Sequence, residues 1–318
     1  MKGQMTRPTQ VTLAEPRGFC AGVERAIEIV EHALARFGAP VFVKHEIVHN
    51  NHVVSDLRKK GAIFVDSIDE IPVGARVIMS AHGVSILVRN QASERELRIF
   101  DATCPLVTKV HSEVKKLAKE GFEIIMIGHQ GHPEVEGTMG RHINTNFSNI
   151  YLVQDDKEAA EIEVLKPNEL ALVTQTTLSV DDTKSIINIL KRRFPDIKVP
   201  KNDDICYATQ NRQDAVKQLA LESDYMIVVG SVNSSNSNRL KELAEKCGCK
   251  SILIDEFEEL NLSELDGCKT ISITAGASAP EERVQEIAKA LKKHTGAVIN
   301  ENGEDKESIF FKLPPLLR

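Results

Sequence analysis

The chain of 318 residues has no tryptophan, and aromatic residues make up only 4% of it. That scarcity excludes the stacking platforms on which single-strand nucleic-acid binders hold bases. No apolar run reaches the roughly 20 residues of a membrane span. The opening "MKGQMTRPTQ" has no apolar core behind its charges, so it reads as a short disordered lead-in and not as a signal peptide. A Walker lysine motif and a Gly-x-Gly-x-x-Gly turn are both missing, so a nucleotide cofactor is not indicated. Cys-x-x-Cys pairs are missing as well, which removes the usual spacing of structural zinc. Nor is there an excess of positive charge. The formal net charge of −6 is the wrong sign for a nucleic-acid or anionic-membrane partner. The remainder, 42% hydrophobic and 27% charged, is an ordinary globular composition, and the protein is expected in the cytoplasm.

Six cysteines are present: Cys20, Cys104, Cys206, Cys247, Cys249 and Cys268. A disulfide framework is foreign to that compartment, which leaves packing, metal ligation or catalysis. Three of the six sit in a repeat. "LAEPRGFCAGVERAIEIV", "IFDATCPLVTKVHSEVKKLA" and "NDDICYATQNRQDAVKQLA" each carry a polar approach, a cysteine, and then apolar residues at helical spacing. A thiol at a helix N-terminus sits where the dipole favours thiolate. Pro105, directly after Cys104, suits a first helical position.

Each helix is followed by a short apolar run that reads as a buried strand: 40–45, 122–129 and 225–231. Each strand opens into a polar loop, and a second strand follows and ends in another polar turn. Cys20 to His49 is 29 residues, Cys104 to His132 is 28, and Cys206 to Ser234 is 28. In the second turn, His82 lies 62 residues after Cys20, while Thr176 and Ser278 each lie 72 after their cysteines. The expected architecture is α/β: three small units with mostly parallel sheets in a pseudo-threefold arrangement. Their spans are 11–104, 105–205 and 206–290, with 291–318 as a tail packing back on them. Polar loops at the carboxyl ends of parallel strands form ligand sites, so three such units place Cys20, Cys104 and Cys206 as equivalent ligands. Cys247, Cys249 and Cys268 fit no such scheme and are assigned to packing.

Three cysteines this far apart can hold zinc with a fourth ligand, or an iron–sulfur cluster with one iron open. An incomplete ligand set suits a reactive cluster more than an electron-transfer one. The loops describe a substrate. "SVNSSNSN" (231–238) has four serines and three asparagines. His49, His82 and His132 add imidazoles, and Thr176, Thr177 and Ser278 add hydroxyls. Many neutral donors without a lysine cluster suit a buried anion. In "GHQGHPEVEG", Glu134 lies two residues after His132 on a loop with no lysine or arginine, which suits a proton relay. Two alternatives use zinc: a scaffold with structural zinc on the cysteines, and a hydrolase using His129, His132 and Glu134. His32, His45, His52, His111, His142 and His294 are read as structural or solvated.

These stretches, with "SAHGVS", "GHPEVEGTMG", "TQTTLSVDDT" and "TAGASAP", resemble the 4-hydroxy-3-methylbut-2-enyl diphosphate reductase (LytB) family over about residues 11–290. The resemblance implies a three-lobed α/β fold around a [4Fe–4S] cluster, one iron of which is not ligated by the protein. It places the cluster thiolates on Cys20, Cys104 and Cys206. It places the contacts to an allylic diphosphate on His49, His82, His132, Thr176, Ser234, Ser235, Asn236 and Ser278, with Thr177 beside them, and proton delivery on Glu134 aided by Thr176 and His132. The implied activity is the last step of the non-mevalonate isoprenoid pathway, a reductive dehydroxylation giving isopentenyl and dimethylallyl diphosphates. Reduced ferredoxin or flavodoxin is the implied electron donor.

Overall fold

The computed structural model describes residues 8–142, 148–200, 204–302 and 307–318. Most of the expected lead-in, residues 1–7, lies outside them. Twelve strands run along the described chain. The first six are β1 (Gln10–Ala14), β2 (Val41–Lys44), β3 (Ala62–Val65), β4 (Arg76–Met79), β5 (Arg98–Asp101) and β6 (Glu123–Ile127). The others are β7 (Ile150–Val153), β8 (Leu170–Thr174), β9 (Tyr225–Val229), β10 (Lys250–Ile254), β11 (Thr270–Ala275) and β12 (Val298–Asn302). They form three sheets, ordered β10-β9-β11-β1-β12, β3-β2-β4-β5 and β7-β6-β8, and every strand pair is parallel.

The chain divides into two compact units. One comprises Met1–Ala21, His49–Val53 and Tyr207–Phe310, and contains the five-stranded sheet. Both faces of that sheet are covered, as a parallel sheet requires. Strand β9 shows how five apolar residues in a row serve this: Tyr225, Ile227 and Val229 join one core, packed by helix Glu281–Thr295, while Met226 and Val228 join the other. The second core is completed by helices Tyr207–Ala220 and Ser235–Lys246, together with Ala14 of β1 and Cys249. Period 2 on a strand sends alternate side chains to opposite faces.

The other unit comprises Gly22–Val48, Val54–Cys206 and Phe311–Arg318, and contains the four- and three-stranded sheets. Strand β6 repeats the alternation. Ile125 and Ile127 face a core shared with helix Val180–Arg193, and Ile124 and Met126 face one shared with helix Pro105–Lys119. The last residues return to this unit, where the Leu317 carbonyl meets His32 Nδ1 at 2.7 Å and the Lys312 carbonyl accepts from Arg25 at 3.0 Å.

The structure redraws two expected boundaries. Helix Glu281–Thr295 runs across the one at 290, and β12, expected in the tail, is an edge strand of the five-stranded sheet. Strand β1, assigned by its position to a first lobe beginning at residue 11, pairs instead with β11 and β12. The end of the lead-in is drawn in with it, since the Thr9 and Gln10 amides both donate to the Lys269 carbonyl. The partner residues of Gln10 are Thr270 and Val298, 260 and 288 residues away in sequence, and local periodicity carries no information about pairing at that distance. The same sheets explain the polar approach to each cysteine. The segment leading into Cys20 is β1, beside β11, and the segment leading into Cys104 is β5, beside β4. Before Cys206, Lys198 bridges to Ala171 of β8.

Candidate active site

Each of the three repeat cysteines is half-buried and stands at the start of a helix. Cys20 precedes Ala21–Phe37, Cys104 is the N-cap of Pro105–Lys119, and Cys206 precedes Tyr207–Ala220. Their backbone amides are held in one common way. Cys20 N–H donates to the Ala277 carbonyl (3.2 Å), Cys104 N–H to Ala81 (3.0 Å) and Cys206 N–H to Thr176 (3.0 Å). Each acceptor lies two residues past a strand end, at β11, β4 and β8 respectively. The first-loop residues obey a similar register, with His49, His132 and Ser234 each five residues past the end of β2, β6 and β9. The threefold pattern read from spacing is therefore a pattern in the backbone hydrogen bonds.

In the unit with the five-stranded sheet, His49, Ser234 and Ser278 are joined directly. Ser278 Oγ donates to the His49 carbonyl (2.9 Å) and lies 3.4 Å from Ser234 Oγ. Ser234 caps helix Ser235–Lys246, accepting from the Ser237 amide at 3.3 Å. Asn236 Oδ1 accepts from the Ala277 amide (2.9 Å), which ties the polar loop to the turn that holds Cys20. Ser234, Asn236 and Ser278 are buried and Ser235 is half-buried. Buried hydroxyls and amides at a helix N-terminus are the donors an oxyanion needs. Asn51 and Asp255 were not legible as site residues. Asp255 accepts from Ser231 Oγ (2.6 Å) and Asn51 Nδ2 (3.1 Å), and so anchors the His49 segment to the serine-rich loop.

In the other unit the structure brings together Glu134, Thr176, His132 and His82. Glu134 is 3% exposed, and Thr176 grips both its carboxylate oxygens, the amide donating to Oε1 (2.6 Å) and the hydroxyl to Oε2 (3.0 Å). Burial raises the Glu134 carboxyl, the two Thr176 bonds oppose this and the Asp204 charge adds to it, and the net result is a value of about 7. A carboxyl in that range carries a proton it can give at neutral pH. His132 caps the helix Pro133–Met139, its Nδ1 accepting from the Glu134 amide at 3.1 Å. That bond leaves the proton of the neutral ring on Nε2, as a donor. The His82 ring stands edge-on to His132, with centroids 5.8 Å apart. Gly83 follows at φ +77°, and a Cβ there would lie 2.4 Å from the buried His111 ring. His111 is held neutral by burial and by Arg141, its pKa pushed down to about 3. Thr177 is half-buried and accepts from Gln175 Nε2 at 3.0 Å.

The remaining cysteines pack. Cys249 and Cys268 are buried in the two cores of the five-stranded sheet, and burial raises both thiols, Cys249 to about 11. Among the described residues, no three His, Cys, Asp or Glu side chains form a group able to hold a metal ion. The zinc set of His129, His132 and Glu134 is thus not assembled. A single ion needs all its donors within about 2.0–2.3 Å of one point, whereas a four-iron cluster takes its thiolates at separate corners. Cys20, Cys104 and Cys206 are each half-buried at the start of a helix, where the dipole favours the thiolate that such a ligand must be. No helix of the described residues is long and apolar enough to cross a membrane.

The family model described as LytB protein matches residues 11–292. The 4-hydroxy-3-methylbut-2-enyl diphosphate reductase of Marinobacter nauticus is 57% identical over 309 residues, which is 97% of this chain and 98% of that one. The enzyme of the same name from Pseudomonas entomophila is equally similar, with the same coverage. The solved structure of the E-1-hydroxy-2-methyl-but-2-enyl-4-diphosphate reductase from Plasmodium falciparum superposes with a TM-score of 0.90 at 37% identity, covering 98% of this chain and 97% of that chain. A second solved structure, described as the terminal enzyme of the non-mevalonate pathway, gives a TM-score of 0.64 at 32% identity over 90% of this chain and 99% of its own. By sequence along nearly its whole length, and by fold, the chain belongs to the LytB family.

Proposed function

We propose that the chain reduces 4-hydroxy-3-methylbut-2-enyl diphosphate to isopentenyl and dimethylallyl diphosphates, the activity its relatives are named for. Cys20, Cys104 and Cys206 would hold a [4Fe–4S] cluster with one iron not ligated by the protein. When bound, that cluster supplies single electrons and Lewis acidity at its open iron. The reaction consumes two electrons and two protons. The carbon–oxygen bond breaks, the hydroxyl leaves as water with one proton, and the other proton ends on carbon. Reduced ferredoxin or flavodoxin in the cytoplasm is the electron source in this reading.

The chain's own groups divide the remaining work. Ser234, Ser235, Asn236 and Ser278, with His49, His82 and His132, bind the diphosphate through neutral donors and fix which end of the substrate faces the thiolates. Glu134 holds the proton for the departing hydroxyl, Thr176 orients its carboxyl, and His132 offers its Nε2–H beside it. The observation that carries the reading is the Glu134–Thr176 pair: a buried carboxyl with two fixed donors and an affinity for protons near neutrality. Anaerobic protein with a chemical reductant should turn the substrate into both products, detected by mass spectrometry, and neither should form without the reductant. A colourless, iron-free protein that leaves the substrate intact would refute the proposal.

A further inference from the structure

Arg212 is 0% exposed and lies on helix Tyr207–Ala220, six residues past Cys206. Its guanidinium gathers the carbonyls of the three residues before Cys20. Nη2 donates to Gly18 (2.8 Å), Phe19 (3.3 Å) and Arg17 (3.5 Å), and Nε donates to Gly18 (3.1 Å). Nη1 donates to the Ala208 carbonyl of its own helix (3.0 Å). The charge is met by Glu307, whose carboxylate accepts from Nη1 at 2.9 Å and Nη2 at 3.2 Å, and also from Asn211 Nδ2 at 3.1 Å.

A peptide unit is rigid and planar, with its C=O and N–H pointing in opposite directions. Two of the units leading to Cys20 are gripped at both ends. The Phe19 carbonyl goes to Arg212 while the Cys20 amide goes to Ala277. The Arg17 carbonyl goes to Arg212 while the Gly18 amide goes to Ala275 at 3.4 Å. Gly18 itself sits at φ +65°, where a side chain would be strained. Arg17 pins the outer side of the same loop, with Glu15, Glu281 and the Ala14 carbonyl as partners. With both planes clamped, Gly18 and Phe19 between them keep little rotation, so the backbone enters Cys20, and directs its Cα–Cβ bond, from a fixed peptide plane. Lysine cannot reproduce this, because one ammonium lacks the planar fork that reaches several carbonyls and a carboxylate together.

We infer that Arg212, neutralised by Glu307, is a positioning residue that sets the direction of the Cys20 thiol. The inference rests on the assignment of Cys20 as a cluster ligand. Its first readout does not, because it uses iron-free protein. Iodoacetamide labelling of each cysteine in the apo-protein, followed by peptide mass spectrometry, should show Cys20 reacting several-fold differently in Arg212→Lys and Glu307→Gln than in the parent chain. Cys104 and the buried Cys268 should be unchanged. In reconstituted protein, the same variants should lose iron to a chelator about tenfold faster than Val284→Ala, a core variant of the same unit, compared at equal loss of Tm. Unchanged Cys20 labelling in both variants would overturn the inference, as would Cys20 and Cys268 rising together. Altered Cys20 labelling in a chain that never takes up iron would keep the positioning role and refute the cluster assignment instead.

Discussion

Thr176 holds both oxygens of Glu134 through its amide and hydroxyl, at 2.6 and 3.0 Å, and its carbonyl accepts the amide of Cys206 at 3.0 Å. One residue therefore ties the proposed proton donor to a proposed cluster ligand. Glutamine at 134 keeps the size of glutamate and one acceptor for the Thr176 amide, with the Thr176 hydroxyl turning to accept from its NH2, but it has no carboxylic proton. Glu134→Gln should leave substrate affinity within a few-fold, while kcat falls about 10²–10⁴-fold. Steady-state kinetics with a chemical reductant checks this, and a proportionate loss of affinity and rate would mean that Glu134 only shapes the loop.

The same substitution should change stability in a pH-dependent way. A carboxyl raised from 4.5 to about 7 on folding binds more protons in the native state than in the unfolded chain between those values. Stability must then fall as pH rises through that window, and the cost is complete above about 7. It amounts to roughly 3 kcal/mol, an order-of-magnitude figure. Glu134→Gln removes it, so the variant should melt several degrees above the parent at pH 8 and level with it at pH 4. Thermal melts at both values decide the point.

Gly83 joins His82 to a backbone that no other residue fits well. At φ +77°, with His111 in the way at 2.4 Å, alanine meets both strain and overpacking, on the order of 2–4 kcal/mol together. Gly83→Ala should lower stability in denaturant titrations by that amount and weaken inhibition by pyrophosphate, because His82 is displaced with the turn.

Much of this was legible in the sequence because it is local. A cysteine before an apolar helical stripe, an apolar run of five and a polar loop each follow from periodicity, and their spacing revealed the repeat. Strand β1 was not legible: "QVTLA" is short, follows a proline-containing lead-in, and finds its partners only in the folded sheet. Arg212 left a trace that spacing could have shown, since it occupies the buried stripe of Ala208, Val216 and Leu219. A charge on an apolar face signals a buried partner, but nothing in the sequence says that the partners are the carbonyls before Cys20. The raised Glu134 carboxyl depends on burial, which its proline-flanked loop sequence does not reveal.

Asn236 separates anion binding from loop integrity. Asn236→Ala removes the acceptor of the Ala277 amide together with the donor, and should weaken competitive inhibition by pyrophosphate about ten- to a hundredfold. Asn236→Asp keeps an acceptor for Ala277 and adds a negative charge. Its fold should be retained while its inhibitor affinity falls further than that of the alanine variant. Inhibition constants alongside thermal melts provide the check.

The central claim is that Cys20, Cys104 and Cys206 hold the cluster, and iron and sulfide analysis of anaerobically purified protein tests it most directly. The parent chain should be brown, contain up to four irons and four sulfides per chain as the proposed cluster requires, and show one iron in its Mössbauer spectrum that responds to substrate. Serine at any of the three positions should abolish most of this, and serine at Cys247, Cys249 or Cys268 should leave it intact. A Cys20→Ser protein that keeps a full cluster, or a Cys247→Ser protein that loses it, would contradict the account.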